Sequence, residues 1–128
     1  MSTDIAAHIF SGLIAYVVLF QIALVAGLPW GNVAWGGTFP GRLPLRMRVA
    51  SGVSILLLIA LGLVVEIRAG ALLAEWQPLS RTLVWGVVAY SALGIVANSI
   101  TPSRWERILW VPVTALMLLL SLVVATGS

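Results

Sequence analysis

Two amides, two phenols and a set of arginines are the groups in this sequence best placed to do chemistry. Gln21 and Asn98 each interrupt a run of aliphatic residues, and Tyr16 and Tyr90 lie near the middle of such runs. A polar side chain without a partner is costly in hydrocarbon, so these positions are the first candidates for a site. An amide both donates and accepts, which suits orienting the head of a ligand but not taking a proton from it. Arg46, Arg48 and Arg107 flank the same runs, and a guanidinium can hold an anionic headgroup. A structural reading competes at each position. Amides bridge helices, tyrosines pack, and arginines fix topology.

Catalysis finds little support. An acid–base enzyme needs groups that converge, and the chain has one histidine, four carboxylates and no cysteine. No carboxylate stands in the middle of an apolar run. Without cysteine there is no thiol nucleophile, disulfide chemistry or thiolate metal site. A lone His8 cannot form a multi-histidine metal site. No catalytic residue, metal ligand or cofactor-binding residue is therefore assigned, and no cofactor is expected.

The candidates share one neighbour, the stretch 29–48, PWGNVAWGGTFPGRLPLRMR. It holds four of the twelve glycines, three of the six prolines and two of the six tryptophans. Its prolines limit chain entropy, its glycines allow tight turns, and Trp30 and Trp35 give it apolar surface to bury. The expectation is a loop folded back over the ends of the first, third and fourth helices. Beneath it Gln21 and Asn98 would line a cavity, with Arg46, Arg48 and Arg107 at the rim. Such a site suits an apolar body with an anionic head, most simply a phospholipid. The glycine spacing does not match a phosphate-binding loop that runs into a helix.

The elements that position these groups follow from composition. Hydrophobic residues make up 61% and charged residues 9%, against about 25% charged in soluble domains. The class is an all-α, polytopic membrane protein. Helices are predicted over 8–27, 47–69, 81–100 and 104–125, with a structured loop over 28–46, in one four-helix up-down transmembrane domain. About 20 residues of helix span the roughly 30 Å of a bilayer core. The first run is read as a retained helix, because no basic residue precedes it and it is too long for a signal-peptide core. Gly70 is expected to stop the second helix. Ser103 and Glu106 have the spacing of a capping box, and Pro112 should kink the fourth helix. In the third helix Gly86, Tyr90, Gly94 and Asn98 form a ridge at four-residue spacing whose glycines would admit a neighbouring backbone.

The helices echo one another. Gly12–Tyr16 resembles Gly86–Tyr90, and Leu61–Val65 resembles Leu120–Val124. These echoes suggest a 2+2 repeat of parallel units. Orientation comes from the arginines. Five (Arg42, Arg46, Arg48, Arg104, Arg107) fall in or beside the first and third connections, and two (Arg68, Arg81) on the other side. The positive-inside rule then puts both termini outside. Since no lysine is present and the arginines are scattered, nucleic acid is not an expected partner. Membrane lipids are, with a homo-oligomer or a larger membrane complex as the protein-level possibility.

The segments PWGNVAWGG…GRLPLRMR, from Pro29 to Arg48, and NSITPSRWERILWVP, from Asn98 to Pro112, together resemble small uncharacterised four-helix proteins of the bacterial inner membrane. The resemblance implies that fold and that membrane, and it carries over no catalytic residue. Small multidrug antiporters fit less well, because they carry a carboxylate in the first helix where this chain has Gln21. A non-enzymatic lipid- or amphiphile-binding protein, or an accessory subunit of a membrane complex, ranks first. A small oligomeric transporter or channel comes second, and a membrane enzyme last.

Overall fold

Four helix signals in the sequence become four long helices, and most of their ends are set by local chemistry. The computed structural model describes residues 2–127. Helix α1 spans Thr3–Ala26. It starts before the expected His8 because Ser2 caps it, its hydroxyl accepting from the Ile5 amide at 3.2 Å, with Asp4 in the positive first turn. Helix α2 covers Leu45–Arg68 and α3 covers Gln77–Ile100. The earlier start of α3 fits Pro78, which is favoured in a first turn. Helix α4 runs Arg104–Thr126 and continues through Pro112. Three of the helices are 24 residues long and the fourth 23, each about 36 Å. All four are long and apolar enough to cross a membrane.

Helices α1 and α2 end in the same way. Gly27 and Gly70 adopt left-handed conformations, and the amides of Gly27–Leu28 and Gly70–Ala71 return to carbonyls of the last turn. The second connection is short. Gln77 bridges it, its amide nitrogen donating to the Arg68 carbonyl and to that of Ile67, which also accepts from the Gly70 amide.

In cross-section α1 packs beside α2 and α4, and α3 packs beside the same two, giving the up-down bundle. The main core lies at the end away from the α1–α2 connection. It is built from Phe10 and Ile14 of α1, Leu58, Leu61 and Val65 of α2, Val84 and Val87 of α3, and Met117, Leu120 and Val124 of α4. Buried Ser91 and Ser121 bond to carbonyls of their own helix, so small side chains enter the core with their hydroxyls satisfied. On the outside the pattern inverts. Leu19, Leu56, Leu93 and Leu119 are each more than half exposed. Large aliphatic side chains facing outward all round mark a multi-pass membrane protein, since lipid is as apolar as the core.

The sequence echoes coincide with the helix register. Gly12 and Gly86 are each the tenth residue of their helix, and Tyr16 and Tyr90 each the fourteenth. Leu61 and Leu120 are each the seventeenth, and both echoes bury their first, second and fifth residues. This correspondence fits two related helical hairpins. The first has a long connection of 18 residues (27–44), the second one of three.

Candidate functional site

The connection between α1 and α2, loop one, is a folded lid. Gly31 makes its waist: the Gly31 amide donates to the Gly41 carbonyl at 2.8 Å, closing the loop on itself. A Cβ at Gly31 would run into the Phe39 carbonyl and lie 2.7 Å from that of Gly41, so no other residue fits. Two tight turns, Gly31–Val33 and Trp35–Gly37, follow. Leu43 and Ala34 then pack on Leu24, with Phe20, Phe39 and Met47 around them.

Helix α4 provides most of the anchors. The Trp110 indole donates to the Val33 carbonyl at 2.9 Å, and the Ser103 hydroxyl donates to that of Asn32 at 2.5 Å. The Gly36 amide donates to Glu106 Oε2 at 3.0 Å. A fourth anchor comes from α2, where Ser51 accepts from the Trp35 indole at 3.1 Å. Trp35 sits at φ 50, an uncommon conformation for a bulky residue. Its side-chain bond to Ser51 helps hold it there.

Beneath this lid the core gives way to a cavity of about 630 Å³, within the roughly 300–1,000 Å³ typical of small-molecule sites. Its walls are Val17, Phe20 and Gln21 from α1, Ser54 and Leu58 from α2, Tyr90, Gly94 and Asn98 from α3, and Glu106, Trp110, Val113 and Thr114 from α4. Val33, Ala34, Trp35 and Gly36 of loop one roof it. Close packing of Gly94 against Thr114 draws α3 and α4 together here.

Of the expected residues, Gln21, Asn98 and Trp35 line the cavity. Gln21 Oε1 is buried and has no partner among the described residues. Leaving such an atom unpaired costs about 1–3 kcal/mol, and each native case calls for an explanation. Tyr90 lines the cavity too, whereas Tyr16 lies outside it, tilted against Trp110 at 5.9 Å. The hydroxyl of Thr114 donates to carbonyls of its own helix. Of the ridge glycines, Gly86 meets no neighbour and only Gly94 is in close contact.

The other expected residues are elsewhere. Trp30 stacks on Phe20 at 6.0 Å outside the lining. The arginine rim is absent from the cavity walls. Arg48 donates through Nε to the Val25 carbonyl at 2.9 Å, and Arg107 donates to the Thr101 carbonyl at 2.5 Å. Each is the fourth residue of its helix and reaches the exposed carbonyls at the end of the preceding one. Such positions attract cations, because the carbonyls lack donors and the dipole is negative there. Arg46 lies over the Phe39 ring at 5.5 Å.

The capping box forms only by half. Ser103 accepts from the Glu106 amide at 3.2 Å, but Glu106 does not return to the Ser103 amide, which is served by the Thr101 hydroxyl. The carboxylate turns to the Gly36 amide instead. The cap amide is served by Thr101, which leaves the carboxylate free to bond the partly buried loop amide.

Glu106 is thus the cavity residue that sequence reasoning missed, although it was named as a cap. Its spacing held a signal: Glu106, Trp110, Val113 and Met117 follow one face of α4 at helical intervals, the face that is buried. A second polar cluster was also missed. Glu66 Oε1 accepts from Ser11 at 2.8 Å and pairs with His8 Nδ1 at 3.1 Å, tying α1 to α2 at the far end of the bundle. His8 and Ser11, three residues apart on one helix face, were the available sign.

Compared with models of protein families, with curated proteins and with solved structures, the chain matches none.

Proposed function

We propose that this protein is a non-enzymatic membrane protein that holds an amphiphilic molecule, such as a lipid, in the cavity beneath loop one. One observation carries the reading. A largely apolar, partly open cavity of about 630 Å³ lies under an anchored lid, and a few polar side chains, among them Gln21, Asn98 and Glu106, line it. Apolar walls with sparse polar groups are the usual form of a small-molecule site. Conduction is less well supported, because the other half of the bundle is a filled core of Phe10, Leu61, Val84, Leu120 and their neighbours. The membrane is proposed to be the bacterial inner membrane, on the resemblance carried by Pro29–Arg48 and Asn98–Pro112. The arginine bias supports loop one on the cytoplasmic side.

The test is native mass spectrometry of protein purified in mild detergent, with extraction of whatever co-purifies. Wild type should retain an amphiphile, and both Asn98→Leu and Ala97→Trp should lose most of it, because one removes a polar wall and the other obstructs the edge of the space. Finding nothing on the wild type, or equal retention in all three, rejects the reading.

A further inference from the structure

The expected anionic head is not what the cavity walls are built for. Glu106 is the only formally charged side chain among the lining residues, and it is 6% exposed. Among the described residues it has no basic partner. Its hydrogen-bond donor is neutral, the Gly36 amide. The three arginines that could have reversed the sign are bound to Val25, to Thr101 and over Phe39. A carboxylate removed from water without an opposite charge is unfavourable, so the walls favour an occupant that supplies one.

Two further features have the same sign. Gln21 Oε1 is a buried acceptor waiting for a donor. The rings of Phe20 and Trp110 meet edge to face at 4.7 Å in the lining, and aromatic faces attract cations. Acidic, accepting and aromatic walls around a space of this size define one ligand class.

The geometry points to a lipophilic organic cation, an ammonium or phosphonium with an apolar body, as the occupant of this cavity. The inference rests on the cavity being a binding site and adds the sign of the charge it selects. Glu106 supplies the counter-charge, and the rings of Phe20 and Trp110 contact the body.

Equilibrium dialysis of the full-length protein in an uncharged detergent tests this with two probes. Tetraphenylphosphonium and tetraphenylborate have nearly the same size and shape and opposite charge. Uptake by the micelle is removed by subtracting the signal of Ala97→Trp, which puts an indole at the edge of the cavity. The phosphonium should bind saturably and at least about tenfold tighter than the borate, the least expected of Coulomb attraction to one partly desolvated carboxylate. Glu106→Gln keeps an oxygen for the Gly36 amide and should lose about that factor for the phosphonium alone. Equal binding of the two ions to wild type overturns the charge selection without needing any variant. Unchanged phosphonium binding in Glu106→Gln overturns it as well, and in both cases the cavity stands as a binding site. If neither ion shows binding that Ala97→Trp abolishes, and no amphiphile co-purifies, both readings fall together.

Discussion

Arginine illustrates how the role of a residue depends on what lies one helix away. Arg46 and Arg48 differ by two positions, yet Arg48 bonds the end of α1 while Arg46 is exposed over a phenylalanine ring. Arg107 repeats the Arg48 arrangement at the end of α3. A charged donor to a carbonyl is worth about 1.5–3 kcal/mol, whereas an exposed cation–π contact is worth about 0.5–1 kcal/mol. Arg48→Gln and Arg107→Gln should therefore each lower the thermal midpoint in detergent clearly, and Arg46→Gln only slightly. Equal loss in all three would mean that the two carbonyl bonds add no stability. Glu106 shows the same dependence. Its spacing from Ser103 made a capping box readable, but the competing amide of Gly36 lies 70 residues away and no local pattern reveals it.

Among the elements, loop one is the most demanding and the helices the most forgiving. The loop must fit Gly31 between the carbonyls of Phe39 and Gly41. Gly12 and Gly86 sit on outward helix faces where an added methyl meets nothing. Alanine in a helix is favoured over glycine by about 0.5–1 kcal/mol. Gly12→Ala and Gly86→Ala should thus be neutral or slightly stabilising. Gly31→Ala should open the loop and expose it to limited proteolysis, with a lower thermal midpoint. Protease resistance equal to wild type in Gly31→Ala would contradict the lid geometry. The folded character of this loop was legible from its prolines, glycines and tryptophans. Its anchoring to α2 through Trp35 and Ser51 was not, because that pairing depends on how far α2 is rotated about its axis.

At the scale of the whole molecule, the bundle is packed at one end and hollow at the other. The four helices fill their space around Phe10, Leu61 and Val124, then leave room below loop one, where the lid, rather than helix contact, closes the structure. Orientation in the membrane is a separate question, and the arginine bias is the ground for proposing loop one inside. The natural absence of cysteine makes labelling simple. In intact cells an impermeant thiol reagent should modify Ala71→Cys, in the second connection, and not Gly41→Cys, in loop one. Labelling of Gly41→Cys alone would invert the arrangement.

The sequence by itself determined the class, the four helices and several of their ends. Those properties depend on hydrophobicity summed over a span and on capping groups within a few residues of each end, as at Gly70 and Ser103. It also placed Gln21 and Asn98 at one end of the bundle, because depth follows from counting 1.5 Å per residue along a helix. Only the tertiary structure decided which side chains meet in the cavity. That choice depends on the rotation and spacing of helices far apart in sequence, which brought Glu106 and Trp110 inward beside Gln21 and turned Arg48 and Arg107 to the helix ends.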